Sequence, residues 1–390
     1  MKLSTSYNEL FKEFRTASSY HQLKDYPADI VTLPFISDTS GLPKRHGHED
    51  KESRQFFPDS DAFIKENREF KYHIFIPRGY TKGNKAILLM HGLNEKSWKK
   101  YLPWALSLTL KTNSPVILFP MAFHMDRAPS AWSQPRMMQN LMQLRSRLIK
   151  QLSKSTFVNA ALSHRLDSFP HRFYLSGYQT ANDMFKLIDS MKNGLHPYFE
   201  KDTRVDIFAY SIGAFLAQNM LIADDNNMLS DSKIVLFCGG SVFQAMDGES
   251  KLIMDSSAFH KLLDYFINDL EHDITGNKPY TQLLKKSALG KAFRSMIGQD
   301  HNREVRESYF RASADRIKVI GLKDDAVMPS SKIVETMRGK NFDIPTHIDI
   351  MDLPFQYSHE MPFPIGKNGS DALIDESFES IFSKSAEFFC

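Results

Sequence analysis

The chain of 390 residues (44.9 kDa) is 42% hydrophobic and 24% charged, a composition of ordinary globular proteins that excludes disordered, collagenous and fibrous classes. At ~100–200 residues per domain it holds two domains, or one large domain with insertions. Lys and Arg number 49 against 46 Asp and Glu, giving +3 with no concentrated basic patch, so no nucleic-acid partner is expected. Cys238 and Cys390, the two cysteines, cannot build a disulfide framework or a Cys metal cluster.

Residues 1–69 read as an N-terminal extension, with a helix over 7–23 followed by a loop rich in Pro, Gly and His. His46 and His48 in that loop read as surface rather than as metal ligands, and no metal or cofactor is expected. The first 14 residues carry no apolar run of signal-peptide length, and no segment approaches ~18 apolar residues, so the expectation is a cytoplasmic protein without a membrane span.

From Phe70 the pattern changes. Phe70, Tyr72, Ile74 and Ile76 recur with period two up to Pro77, which predicts a strand near a sheet edge. Short, mostly apolar runs follow at 86–90, 116–119, 205–209, 234–238, 317–320 and 348–353, each of strand length, as strands covered on both faces are. Between them Trp98, Tyr101, Leu102, Ala105 and Leu108, and later Ile374, Phe378, Ile381 and Phe382, recur at three and four. This alternation predicts an α/β fold, a mostly parallel central sheet with helices on both faces. Two connections exceed a simple crossover: an insertion at about 126–180, with a helix over 137–152, and a helical segment at about 246–312.

Ala209, Tyr210, Ser211, Ile212 and Gly213 follow the run at 205–209 and open an apolar helix over 214–223. This is a G-x-S-x-G nucleophile elbow with Ala in its first position. A sharp strand-to-helix turn exposes the serine, and small residues two before and two after it keep neighbouring elements from colliding. The helix N-terminus beneath it offers unpaired N–H groups to a developing oxyanion.

On these residues the sequence resembles the α/β-hydrolase superfamily, over residues 70–390 apart from the insertions, and three further motifs fall in that family's order. Met90, His91, Gly92, Leu93 and Asn94 follow the run at 86–90 as the family's HG loop follows its strand. The resemblance then implies an oxyanion hole from the backbone N–H groups of Leu93 and Ile212. Gly321 to Pro329 (GLKDDAVMP) resembles the loop carrying the family's triad acid; counting back from Pro329 favours Asp325, with Asp324 as the alternative. His359 lies beyond the last strand-like run, whereas His347 precedes it and belongs to the opposite end of a parallel sheet, so direction selects His359. The order Ser211, Asp325, His359 is the family's.

The family also places a helical cap where residues 246–312 lie. There Leu262, Leu263, Phe266 and Ile267 either face an acyl pocket or form the cap's own core. His124, Arg127 and Trp132 follow the run at 116–119 toward the same sheet edge and are possible substrate-binding residues, Arg127 for an anionic group; structural loop residues are the alternative. The resemblance implies an esterase-like serine hydrolase that cleaves an ester or related acyl bond of a small-molecule substrate through an acyl-enzyme, without a cofactor. An acyltransferase on the same residues and a non-catalytic binding module of this fold are the rival readings. The sequence does not fix the oligomeric state.

Overall fold

The computed structural model describes residues 1–39, 56–57, 60–278, 281–366 and 370–390; His46 and His48 lie outside them. In chain order the strands are β1 (Tyr20–Gln22), β2 (Ala28–Ile36), β3 (Glu69–Pro77), β4 (Gly83–Met90), β5 (Val116–Leu118), β6 (Phe199–Tyr210), β7 (Ile234–Phe237), β8 (Ile317–Leu322) and β9 (His347–Met351). They form one sheet ordered β1-β2-β3-β5-β4-β6-β7-β8-β9. The pairs from β5 through β9 are parallel, while β1, β2 and β3 run antiparallel to their neighbours.

In the central strands the apolar runs are explained by burial on both faces, whereas β9, expected to be covered likewise, lies at the sheet edge and is exposed or half-buried along its length. Along β4, Ala86, Leu88 and Met90 enter one core, and Ile87 and Leu89 enter the other. Ile207 and Ala209 are likewise separated from Phe208 and Tyr210 along β6. One face is covered by the N-terminal helix Leu3–Thr16, the helix Leu102–Thr112 and the C-terminal helix Asp371–Phe389. The other is covered by the helices Arg172–Lys192 and Ile212–Ile222 and by the helical segment after β7. The architecture is α/β, a mostly parallel nine-stranded sheet with helices on both faces, and the helical segment inserted after β7 is the cap.

The segment before Phe70 differs from its reading as an extension. Its helix spans Leu3–Thr16 and stops at Ala17, whose backbone is extended. The chain then supplies two strands, so β3, read as near an edge, lies third in the sheet and is paired on both sides. Pro34 disguised β2, because proline removes a ladder donor. It is tolerated because β1 pairs only Asp29, Ile30 and Val31, leaving Pro34 beyond its reach.

The insertion contributes the helices Pro135–Leu148 and Ala160–Ser168, which pack with Phe57, Ile64 and Trp132 into a separate small core. It is tied to the cap by Arg145, whose guanidinium makes two bonds of 2.9 and 2.8 Å to the Asp255 carboxylate. Asp255 in turn caps the helix Ser256–Asp264 by accepting from Ala258 N–H at 3.0 Å. Among the described residues no helix is long and apolar enough to cross a membrane.

Candidate active site

Ser211 stands between β6 and the helix Ile212–Ile222 with φ 59° and ψ −124°, a backbone region that costs a non-glycine residue of order 1–3 kcal/mol. The turn is over-determined. Ser211 N–H donates to Phe237 O at 3.1 Å, and Ser211 O accepts from Ala214 and Phe215 N–H at 2.9 and 3.3 Å. Gly213 is required by space: a Cβ there would lie 2.8 Å from His91 O and 2.9 Å from Met90 O. The first turn of the helix thus abuts the end of β4, bringing the 91–93 loop beside Ile212.

The loops after β6, β8 and β9 converge, as parallel strands carry their C-terminal ends to one edge. Ser211 Oγ is 2.6 Å from His359 Nε2, and His359 Nδ1 is 2.8 Å from Asp325 Oδ2. The other carboxylate oxygen accepts from Val327 and Met328 N–H, both at 2.9 Å. All three residues are at most 5% exposed. Asp324, the alternative acid, is solvent-exposed and uses its backbone N–H on Tyr357 Oη at 2.8 Å. His347 is exposed at the start of β9, 3.4 Å from Asp349. Tyr210, which the sequence reading passed over, lies against His359 with ring centroids 5.6 Å apart and an interplanar angle of 17°, and its hydroxyl donates to His359 O.

The 91–95 loop is held by side chains on both sides. His91 Nδ1 donates to Gly92 O at 2.8 Å while Nε2 accepts from Met121 N–H at 2.9 Å. Burial pushes the His91 pKa down to about 4, so the ring is neutral at physiological pH. Gly92 N–H donates to Tyr101 Oη at 2.9 Å, and that hydroxyl donates to Glu95 at 2.7 Å. Because both ends of Gly92 are pinned, the peptide linking it to Leu93 has a fixed orientation, its N–H opposite the carbonyl that His91 holds.

Two cavities meet at this loop. One, of about 300 Å³, opens over Ser211 and His359, with Tyr7, Lys96, Lys100 and Glu360 in its wall. Lys96 is half-buried there, and burial, reinforced by Arg165, pushes its pKa down to about 8. The other, of about 80 Å³, is almost wholly apolar and shares Leu93 with the first. Its wall includes Ile212 and Phe215 of the Ser211 helix, Leu162 of the insertion, Phe173 of the crossover helix, and Leu289 and Phe293 of the cap.

Of the three substrate-binding expectations, His124 lines the apolar cavity and the other two do not. Arg127 is fully buried and points into the protein: it pairs with Asp183 at 2.8 Å, donates to Pro120 and Asn67 carbonyls at 3.2 Å each, and lies 4.0 Å over the Phe70 ring. Trp132 belongs to the insertion's core, beneath Arg165 at 4.6 Å. Leu262 and Phe266 likewise pack into the core rather than the cavity wall; the cap residues in that wall are Leu289 and Phe293. The sequence reading missed Arg165, which lines the cavity while gripping Asp61 through bonds of 2.7 and 3.0 Å. It also missed Asn219, which with Gln218 is one of two buried amides in an otherwise apolar helix, and that incongruity was the available signal.

A model of the family described as "Family of unknown function (DUF6051)" matches residues 1–390. No curated protein matches the sequence. Among solved structures the fold is similar to carboxyl esterase 2 of Tuber melanosporum, at 8% identity over 98% of each chain with a TM-score of 0.48. An esterase structure from Rhizomucor miehei gives 9% identity, 100% and 91% coverage and a TM-score of 0.46. An esterase of Pyrobaculum calidifontis gives 11%, 99% and 90%, and 0.43.

Proposed function

The chain belongs to DUF6051, a family of unknown function, and from the chemistry of its own side chains we propose that it is a serine hydrolase cleaving an ester or related acyl bond of a small-molecule substrate. What supports this reading is the unbroken hydrogen-bond chain from Ser211 through His359 to Asp325, at 2.6 and 2.8 Å.

In this reading Ser211 Oγ attacks the carbonyl carbon while His359 Nε2 takes the hydroxyl proton. Asp325 accepts the Nδ1 hydrogen, which leaves the Nε2 lone pair facing the serine and stabilises the imidazolium that forms. The carbonyl oxygen becomes an oxyanion between the N–H groups of Leu93 and Ile212, a contribution of roughly 3–4 kcal/mol per donor in comparable sites. Collapse expels the leaving group, which receives the proton from His359. Water then enters, loses a proton to the same nitrogen and attacks the acyl-enzyme, releasing the acid and restoring Ser211. The acyl group occupies the apolar cavity beyond Ile212, and the leaving group faces the opening lined by Tyr7 and Lys96.

The test is covalent labelling with a fluorophosphonate probe. Wild-type protein labels and Ser211→Ala does not; a folded wild type that stays unlabelled, or equal labelling of the variant, overturns the proposal.

A further inference from the structure

The segment that carries Leu93 ends in Asn94, whose side chain does more than its backbone requires. Asn94 has φ 61°, a left-handed conformation that asparagine tolerates and glycine adopts most readily. That accounts for a small polar residue at the turn but not for where the amide goes. Asn94 is 5% exposed, and its Nδ2 directs both hydrogens at carbonyls remote in sequence, Val158 O of the insertion at 3.2 Å and Leu252 O of the cap at 2.7 Å. Two acceptors on the nitrogen fix the amide orientation.

Both partners belong to the site. Val158 and Leu252 stand with Leu93, Ser211 and His359 in the wall of the opening of about 300 Å³. Insertion and cap are stitched together at the same place: Asn159 Nδ2 donates to Ser250 O at 2.9 Å, and Thr156 Oγ1 donates to Lys251 O at 2.7 Å. The successive carbonyls of Ser250, Lys251 and Leu252 are thus each held by a side chain, and the third of these side chains is on the loop of the proposed oxyanion donor. From the sheet side, His91 Nδ1 holds Gly92 O at 2.8 Å. The peptide that bears the Leu93 N–H therefore lies between one residue held by the core and another held by the roof of the opening.

We propose that Asn94 is a positioning residue: its amide ties this loop to the roof formed by insertion and cap, and so holds the Leu93 N–H where the oxyanion develops. The inference rests on the hydrolase reading. It gives the insertion and the cap a part in the chemical step besides forming walls, through a residue that takes no proton and makes no bond to the reacting atoms. A purely conformational role would make glycine an equal substitute at φ 61°. A tie does not, because glycine keeps the backbone and loses both bonds.

Asn94→Gly is accordingly the test. Hydrolysis of p-nitrophenyl butyrate is measured across pH on wild type and variant. Inhibition by a trifluoromethyl ketone with the same acyl chain is measured in parallel; its carbonyl carbon takes Ser211 Oγ, the serine proton passes to His359, and a tetrahedral oxyanion results. Misplacing the donor by about 1 Å costs about 10²-fold, so kcat and ketone affinity are each expected to fall by about 10², with KM within about threefold and the pH profile unchanged. Thr156→Val, which removes a stitch between insertion and cap without touching the loop, leaves kcat near the wild-type value. Where the glycine variant fails to fold, Asn94→Asp, similar in size and in left-handed tolerance but without the donor hydrogens, carries the same expectation. An active wild type with an equally active glycine variant refutes the tie alone, and equal losses in Thr156→Val refute a role specific to the oxyanion loop. A folded wild type that neither hydrolyses the ester nor binds the ketone overturns the hydrolase reading and this inference with it.

Discussion

Replacing Asp325 by Asn probes the machinery at one oxygen-to-nitrogen exchange. One carboxylate oxygen already accepts the Val327 and Met328 N–H groups at 2.9 Å each, so the amide oxygen of the variant stays on that side. The amide NH₂ is then turned toward His359 Nδ1, where a donor cannot face a donor. The imidazole answers by moving its hydrogen to Nε2, the nitrogen 2.6 Å from Ser211 Oγ, and in that tautomer it cannot take the serine proton. A wrong tautomer of this kind lowers kcat by about 10⁴, about 5.5 kcal/mol of transition-state stabilisation at ~1.36 kcal/mol per decade. The two backbone bonds that hold the loop survive, so the fold is retained. Asp324→Asn, at an exposed side chain, changes kcat less than about twofold. The assay is hydrolysis of a p-nitrophenyl ester with the rate of fluorophosphonate labelling in parallel, on protein whose thermal unfolding matches wild type. Asp325→Asn within tenfold of wild type would refute the assignment, and the larger loss at Asp324 would move it by one residue.

Arg127→Met leaves Asp183, 3% exposed, without its 2.8 Å partner. Breaking a buried pair in this way lowers stability by about 3–5 kcal/mol, read from urea unfolding, and Arg127→Met with Asp183→Leu recovers part of it; a KM that rises for anionic esters alone at unchanged stability would return Arg127 to the pocket. Acid sensitivity follows from His91, fully buried with its pKa pushed down to about 4 by burial. The unfolded chain protonates this imidazole below about pH 6.5 while the folded one does not until about 4. Its contribution is therefore complete above pH 6.5 and is lost as pH falls toward 4, on the order of 3 kcal/mol. His91→Gln should show a shallower fall in unfolding free energy across that window, and an identical fall in both proteins would refute the argument.

Strand ends were legible in the sequence because they combine two independent signals, a short, mostly apolar run and a chemical residue past it. Ser211, Asp325 and His359 each follow such a run, and strand direction alone separates His359 from His347. The same rule left Arg127 open between a pocket residue and a structural one. Position past β5 says where the backbone emerges, not which way a long side chain turns, and Arg127 turns inward to a carboxylate 56 residues away on the crossover helix. β2 was hidden for a different reason: Pro34 is a valid local argument against a strand, and only the shortness of β1 makes it harmless.

The division between what could and could not be read has a physical cause. Each proposed reacting group is placed by a neighbour in sequence, by strand, turn and helix start, so its position is written locally. The cavity walls are not. They are assembled from Tyr7 of the first helix, Leu162 and Arg165 of the insertion, Phe173 of the crossover helix and Phe293 of the cap, and apart from the insertion and crossover helices, which adjoin in sequence, these elements lie far apart along the chain. In the proposed hydrolase, specificity is therefore a property of the insertions and the N-terminal helix, while the chemistry is a property of the sheet edge.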